Sequence, residues 1–470
     1  MAGGCAALRI LLVRDYWNKG MRKVFIWAVI IALGGFLFGL DTAVISGAEQ
    51  TIQELWELNV FEHGLTVSIA LIGTVVGAML GGIPTDRLGR KKTLFWIAVL
   101  FLVSAIGSAL AIDWYSFLIF RFVGGLAVGC SSVTAPMYIS ELSPASHRGR
   151  LVAMFQFNVV LGILVAFVSN YLLQNLGDNA WRWMLGIIAF PAAIFLVLIL
   201  FIPESPRWLI VKRRLYEEAK EILQRINAKT ADTEFESILA SSNQSNRMDG
   251  SARLFSSRYA MPVTLAVLFA VFNQVSGINA IIYYAPRIFE MTGLGTDSAL
   301  LSTVGLGVVN FIFTLLAMNF IDRYGRRTLM LIGSVGVILT LALVANAFYT
   351  QNFSNYLVPV CLFVYIAFFA FSQGAVIWVF ISEIFPNEVR AKGQALGSFT
   401  HWIMASLIAF AFPWITERLG GGNTFMLFAV MMVFQLLFVL RIMPETKGKT
   451  LEQMHVAPVE ARPGKVTVDK

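Results

Sequence analysis

Charge is scarce in this 470-residue chain: Asp, Glu, Lys and Arg make up 14% of it, against roughly a quarter in soluble globular proteins. That deficit excludes the string of soluble domains that length alone would suggest. Cysteine is rarer still, with three in all, Cys5, Cys130 and Cys361. Two of them fall in apolar runs, which excludes a disulfide framework. The four histidines are scattered, with no metal-ligand spacing, no P-loop and no Ser/His/Asp set, so no enzyme, no cofactor and no metal site is expected. A cleaved signal peptide is missing as well. The first apolar run is too long and has no small-residue cleavage site, and it should remain as an anchor.

What the chain has is hydrophobicity, 57% of its residues. A bilayer core needs ~20 apolar residues per helix. Twelve such runs lie near 24–47, 64–84, 93–112, 116–139, 151–173, 182–202, 261–289, 299–320, 328–349, 357–381, 393–414 and 423–443. The expected fold is an all-α membrane protein of twelve transmembrane helices. The net charge of +8 is a topology signal rather than a nucleic-acid one. If the N-terminus is cytoplasmic, all but Arg121, Arg182, Arg287 and Arg418 of the 36 Lys and Arg fall on cytoplasmic loops, tails or adjoining membrane edges. The first outer loop carries Glu49, Glu54, Glu57 and Glu62 and no Lys or Arg. This positive-inside pattern places both termini in the cytoplasm and adds an attraction to anionic lipid. A multi-pass protein of a plasma or bacterial inner membrane is expected, a monomer by default, with the lipid bilayer as partner and no nucleic acid.

The chain also repeats itself. Asp86-Arg87-Leu88-Gly89-Arg90-Lys91 returns 236 positions later as Asp322-Arg323-Tyr324-Gly325-Arg326-Arg327. Ser140-Glu141 with Arg148 returns as Ser382-Glu383 with Arg390 after 242, and Pro203-Glu204 as Pro444-Glu445 after 241. Three matches in order at nearly one offset predict two six-helix halves related as parallel repeats. The expected organisation is a cytoplasmic leader at 1–23, halves at 24–202 and 261–443, a linker at 203–260 and a tail at 444–470. In the linker, Leu215, Ala219, Leu223 and Ile226 recur at helical spacing among charges, which predicts short amphipathic cytoplasmic helices. Ser241 to Ser251 and the residues past about 455 read as mobile or disordered, and Asn352-Phe353-Ser354 is a weak glycosylation sequon.

In the repeated loops glycine allows a tight turn, and the basic residues must stay at the membrane surface. Glu141 and Glu383 offer them partners that would latch helix ends together. Inside the apolar runs stand Gln156, Asn273, Gln274, Asn279, Asn310, Gln373 and His401, with Trp378 and Trp402. Polar side chains in spans face the bundle interior or a wet cavity. Amides both donate and accept and aromatic faces supply apolar walls, a set that gives polar specificity without charge; plain interhelical hydrogen bonding is the competing use. Ser276 and Gly277 interrupt the seventh run just before Asn279, Pro286 lies further along, and Gly374 permits bending before Trp378. Asp41 is the one acid deep in the first run. Burial favours its neutral form and a nearby cation its charged form, and Arg121 is the expected partner.

These motifs, together with the stretch from Gly39 to Gly47, the run Pro203 to Leu209, the run Gln274 to Asn279 and the run Pro444 to Glu452, resemble a sugar porter of the major facilitator superfamily over residues 24–452. Proton-coupled bacterial xylose, glucose and arabinose carriers and facilitative glucose transporters share the pattern. The resemblance implies the major facilitator fold. It implies sugar binding by Gln156, Asn273, Gln274, Asn279, Asn310, Gly374, Trp378, His401 and Trp402, with Phe38 and Tyr283 contributing. It implies a cytoplasmic gate of Asp86, Arg87, Arg90, Glu141, Arg148, Glu204, Arg207, Arg323, Arg326, Glu383, Arg390 and Glu445. Two positions depart from the pattern: Asn273 replaces the first of two glutamines, and His401 replaces an amide. Ile163 stands after Gly162 where some pentose carriers have a glutamine, which leans toward a hexose. An acid at Asp41 resembles the proton symporters, so the expected function is import of a monosaccharide by proton symport, with Asp41 and Arg121 as the proton site. A facilitative uniporter and a non-transporting sugar sensor are the alternatives, and the short tail speaks against the sensor.

Overall fold

The structure is a computed structural model that describes residues 19–144, 146–248, 253–353, 356–386 and 388–447. The leader up to residue 18, Cys5, part of the Ser241 to Ser251 stretch, Ser354 of the sequon, the side chain of Asp322 and everything past residue 447 lie outside the described residues.

Among the described residues every regular element is a helix. In lipid a backbone must satisfy its own polar groups, and a helix does so within one segment. The first five spans are Lys19–Val44, Val60–Leu80, Arg90–Ala109, Trp114–Leu142 and Arg148–Leu173, and the sixth is Ala180–Ile199. The fourth begins with a capping box in which the Asp113 carboxylate accepts from the Ser116 N–H at 2.9 Å. The eighth and ninth are Thr296–Tyr324 and Arg326–Thr350.

Two spans are broken. The seventh runs as Ala260–Val275, Ile278–Tyr283 and Ala285–Glu290, interrupted at Gly277, whose φ of 85° is left-handed. This is the break expected at Ser276-Gly277. The Tyr365 hydroxyl steadies it by donating to the Ser276 carbonyl at 3.0 Å. The tenth runs as Leu357–Phe371 and Gln373–Ile384, and its break falls at Ser372 rather than at Gly374. There Ser372 packs closely on the ninth span: its Oγ lies 1.8 Å from where a Cβ on Gly333 would stand.

The last helix, Arg390–Arg441, has 52 residues. At 1.5 Å per residue it would be ~78 Å long, more than twice the ~30 Å hydrocarbon core. Gly420 divides it, with φ 78° and ψ 162°. Among the described residues, eleven helical stretches are long and apolar enough to cross a membrane, and this division makes them the expected twelve.

The chain forms two compact units. One comprises residues up to 57 and 69–250, the other residues 58–68 and 251–470. In the first unit the first span packs along the fifth, and the third along the fourth. The first–fifth approach is backbone to backbone: a Cβ on Gly39 would stand 1.9 Å from the Val159 carbonyl oxygen. Such contact needs small residues where no water-driven burial operates between helices. In the linker, Tyr216–Asn227 buries Ala219, Ile222, Leu223 and Ile226 and packs on Ala231–Met248 and on the first span. Leu215, expected on that apolar face, is exposed and stands just before the helix.

Candidate functional site

In the first unit a buried ion pair joins the first and fourth spans. Arg121 Nη1 donates to Asp41 Oδ1 at 2.8 Å, and Nη2 donates to the Asp41 carbonyl at 3.2 Å. The side chains are 2% and 3% exposed. Asp41 Oδ2 and Arg121 Nε are buried with no partner. A buried pair of this kind is weak evidence for stability, because desolvation offsets most of the attraction. Its value lies in what a change of charge would do to it. A neutral Asp41 would release Arg121.

Each unit also carries an arginine–acid knot, built by the repeated motifs. Arg90 Nε and Nη2 donate to Glu141 at 2.8 and 2.9 Å. Arg326 repeats the fork on Glu383 at 3.1 and 2.7 Å. A planar guanidinium meeting a carboxylate with two parallel bonds is stronger and more directional than a point contact. A second acid caps the following helix. Glu204 accepts from the backbone N–H of Arg90 at 2.9 Å, and Glu445 accepts from those of Arg326 and Arg327, each at 3.0 Å. These acids sit at helix N-termini, where a negative charge is favoured. The residue after each capping acid reaches the forked acid: Ser205 Oγ donates to Glu141 at 2.5 Å, and Thr446 Oγ1 to Glu383 at 2.6 Å.

The two capping acids differ. Burial pushes the Glu204 carboxyl above the usual carboxylate range, against the pull of its three backbone donors and Arg90. Burial also pushes Glu445 up, but four backbone donors outweigh it and hold the group below that range.

Among the described residues, the others expected at these ends make no acid–base pair across spans. Arg87, Arg207 and Arg323 are exposed. Arg148 Nε donates to the Ser140 carbonyl and Arg390 Nε to the Phe385 carbonyl, at 3.1 and 3.3 Å. Asp86 is exposed between Arg90 at 3.4 Å and Lys212 at 3.6 Å.

In the second unit the break in the seventh span brings the polar side chains together. Asn279 Nδ2 donates to Gln274 Oε1 at 2.5 Å. Gln274 Nε2 is 2.9 Å from Asn273 Oδ1 and 3.2 Å from the His401 ring nitrogens. His401 lies between two indoles, its ring centroid 4.9 Å from Trp378 and 4.9 Å from Trp402. Gln274 therefore anchors a chain of neutral donors and acceptors walled by aromatic faces. With Oε1 accepting from Asn279, Gln274 Nε2 is the donor: Asn273 Oδ1 accepts from it, and a His401 nitrogen facing it can act there only as an acceptor. Asn310 and Tyr283 are buried on the eighth and seventh spans, and Gly374 is half-buried on the tenth. Phe38 and Gln156 belong to the first unit, half-buried, with Phe38 tilted on Phe155 at 6.4 Å between ring centroids.

Gln373 has a different use. Its Nε2 donates to Gln435 Oε1 of the twelfth span at 2.9 Å, and both residues are buried. This side-chain contact is interhelical bonding, while the Gln373 carbonyl accepts from Asn273 Nδ2 at 3.4 Å. Gln435, Ser205, Thr446 and Ser104 were not singled out from sequence. The signal for Ser205 and Thr446 was present, since both follow the repeated Pro-Glu pair.

The family model for sugar (and other) transporters matches residues 27–457. Similar curated proteins include the arabinose-proton symporter of Bacillus subtilis, 38% identical over 93% of this chain and 95% of that protein. The D-xylose-proton symporter of Escherichia coli is 36% identical over 92% and 95%. Glucose transporter GlcP of Staphylococcus epidermidis is 35% identical over 91% and 95%. Among solved structures, the proton:xylose symporter XylE bound to 6-bromo-6-deoxy-D-glucose has a TM-score of 0.77 at 34% identity, covering 93% of this chain and 99% of that one. The inward open conformation of the xylose transporter XylE from E. coli scores 0.81 at 34% identity, covering 92% and 99%.

Proposed function

The chain belongs to the sugar transporter family of the major facilitator superfamily, and on that premise we propose that it imports a monosaccharide by proton symport and alternating access. The observation that carries the coupling is the buried Asp41–Arg121 pair at 2.8 Å. Protonation from outside neutralises Asp41 and frees Arg121. The carrier then closes over sugar, and loss of the proton inside restores the pair. One charge moving down 100 mV supplies ~2.3 kcal/mol, which supports roughly forty- to fifty-fold accumulation. Relatives named as proton symporters of arabinose and of xylose support the reading.

The sugar is held by Gln274, with Asn273, Asn279 and His401 around it and Trp378 and Trp402 as apolar walls. Asn310, Tyr283 and Gly374 contribute in the same unit, and the family resemblance assigns a sugar-binding role to Gln156 and Phe38 as well. A hexose fits better than a pentose, given Ile163 after Gly162. A relative named as a proton:xylose symporter has been solved bound to a hexose derivative. Both termini are cytoplasmic, the knots at Arg90–Glu141 and Arg326–Glu383 belong to the cytoplasmic gate, and the halves span 24–202 and 261–443 around a helical linker.

Counterflow in proteoliposomes with labelled hexoses, pentoses and polyols, with and without a pH gradient, tests this. The expected result is acceleration by a hexose and accumulation that needs the gradient. No acceleration by any sugar refutes the assignment. Asp41→Asn separates symport from uniport: accumulation should be lost while exchange persists.

A further inference from the structure

Hydroxyls inside these spans usually return their proton to the carbonyl one turn back. Ser334 Oγ donates to the Met330 carbonyl, Ser406 Oγ to that of Trp402 and Thr340 Oγ1 to that of Gly336, at 2.7 to 2.9 Å. Ser104, on the third span, does not. It is 1% exposed and its Oγ has no partner. A buried hydroxyl left in this way is costly, so its persistence calls for a use.

Its position suggests one. A Cβ placed on Gly124 of the fourth span would stand 2.4 Å from Ser104 Oγ and 3.3 Å from Asp41 Oδ1. The two oxygens therefore both border the gap that a glycine leaves, within about 6 Å of each other. Asp41 Oδ2 is likewise buried and unpartnered. Among the described residues, Arg121 is the charge acting on Asp41. The fifth span meets the first through backbone at Val159 and Ile163 beside Gly39, and the sixth through Phe195 beside Gly34.

We propose that Ser104 receives the protonated form of Asp41, and that Gly124 keeps the gap between them open. The proposal deepens the proton-site reading and rests on it. Ionised Asp41 is an acceptor and Arg121 satisfies it. Once a proton from solvent binds the carboxylate, Asp41 carries an O–H, becomes a donor and has no further need of a guanidinium. The Asp41 hydroxyl then donates to Ser104 Oγ, which turns its own proton to the Leu100 carbonyl one turn back. Arg121 stays a cation throughout. When the proton leaves on the other side, the carboxylate drops Ser104 and takes Arg121 again. Ser104 is a positioning residue: it selects the protonated state and never holds the transported proton.

The test is the pH profile of sugar accumulation in proteoliposomes at fixed membrane potential. Ser104→Ala removes the acceptor and should move the half-maximal pH down by roughly half to one unit, the size set by one hydrogen bond. Ser104→Cys, which keeps the volume but is a weak acceptor, should move it the same way and covers a failure of the alanine variant to fold. Ser104→Thr keeps a hydroxyl and should restore the wild-type midpoint. Ser131→Ala is the control. Its Oγ is also buried and unpartnered, but it sits beside Gly34, about two turns along the first span from Asp41. The proposal is overturned if Ser104→Ala and Ser104→Cys keep the wild-type midpoint while Asp41→Asn abolishes accumulation. It is also overturned if Ser131→Ala shifts the profile equally. If Asp41→Asn still accumulates sugar, the proton site itself is wrong, and the role of Ser104 goes with it.

Discussion

Replacing Gly325 by alanine should cost distinctly more stability than replacing Gly420 by alanine. The two glycines share one backbone conformation, φ 87° and ψ 161° at Gly325 and φ 78° and ψ 162° at Gly420. That region is essentially reserved for glycine, and any side chain there costs about 1–3 kcal/mol. Surroundings distinguish them. A Cβ at Gly420 would have nothing within 4 Å, whereas one at Gly325 would stand 2.6 Å from Glu445 Oε2. The carboxylate would have to retreat from the Arg326 and Arg327 N–H groups that it accepts at 3.0 Å. Hydrogen bonds to a charged group are worth about 1.5–3 kcal/mol each. Glu445 is partly open to solvent, which discounts that figure, so the loss beyond the backbone strain should be about 1–2 kcal/mol. Unfolding of the purified variants in one detergent, followed by tryptophan fluorescence, gives the comparison directly. In the background of Glu445→Gln the gap should narrow, because the displaced charge is already gone. Equal losses for the two alanine variants would refute the claim that the carboxylate holds this turn.

Three further outcomes are expected. Glu445 is held below the usual carboxylate range, so its contribution is present above the ordinary carboxyl value and fades as pH falls through the lowered one. Glu204 is held above that range, so its contribution is full below the ordinary value and is lost as pH rises through the raised one. Glu445→Gln should therefore destabilise at neutral pH and Glu204→Gln should not, with the difference closing below about pH 4 in a melting series across pH. Gln435→Leu should cost about 1–3 kcal/mol by stranding the Gln373 amide, while leucine at both positions should be nearly neutral; a double-mutant cycle on unfolding reads the coupling. Gln274→Ala should raise the sugar KM at least about tenfold, a loss of ~1.4 kcal/mol, since Asn279, Asn273 and His401 all lose their shared partner; initial-rate uptake measures it.

Much of this architecture could be read from residues alone, for definite reasons. Bilayer thickness turns apolar run length into spans, and so the last two helices are separable at residues 414–423, where the structure divides them at Gly420, whose φ and ψ are not helical. The repeat at Asp86 and Asp322 announced two like halves, and each carries the same arginine–acid fork. Asp41 and Arg121 were paired because two lone charges in lipid have few other partners. What could not be read was the identity of neutral partners. An amide in an apolar run says that it faces inward, not whom it meets: Gln373 reads like Gln274, yet one bonds to Gln435 and the other to the Asn279 and His401 cluster. The break at Ser372 is not legible in the tenth run alone, since the glycine that Ser372 packs on, Gly333, stands on another span. Ser104 escaped notice for the same reason, since a serine in a helix is ordinary until the glycine opposite it is known.

Proton movement driven by sugar is the most direct measurement of the central claim. Proteoliposomes carrying the wild-type chain, with a trapped pH dye and no imposed gradient, receive a transported sugar from outside. The interior should acidify in step with sugar entry, and Asp41→Asn should abolish the acidification while sugar still equilibrates. Sugar entry with no change in internal pH in the wild type would contradict the account.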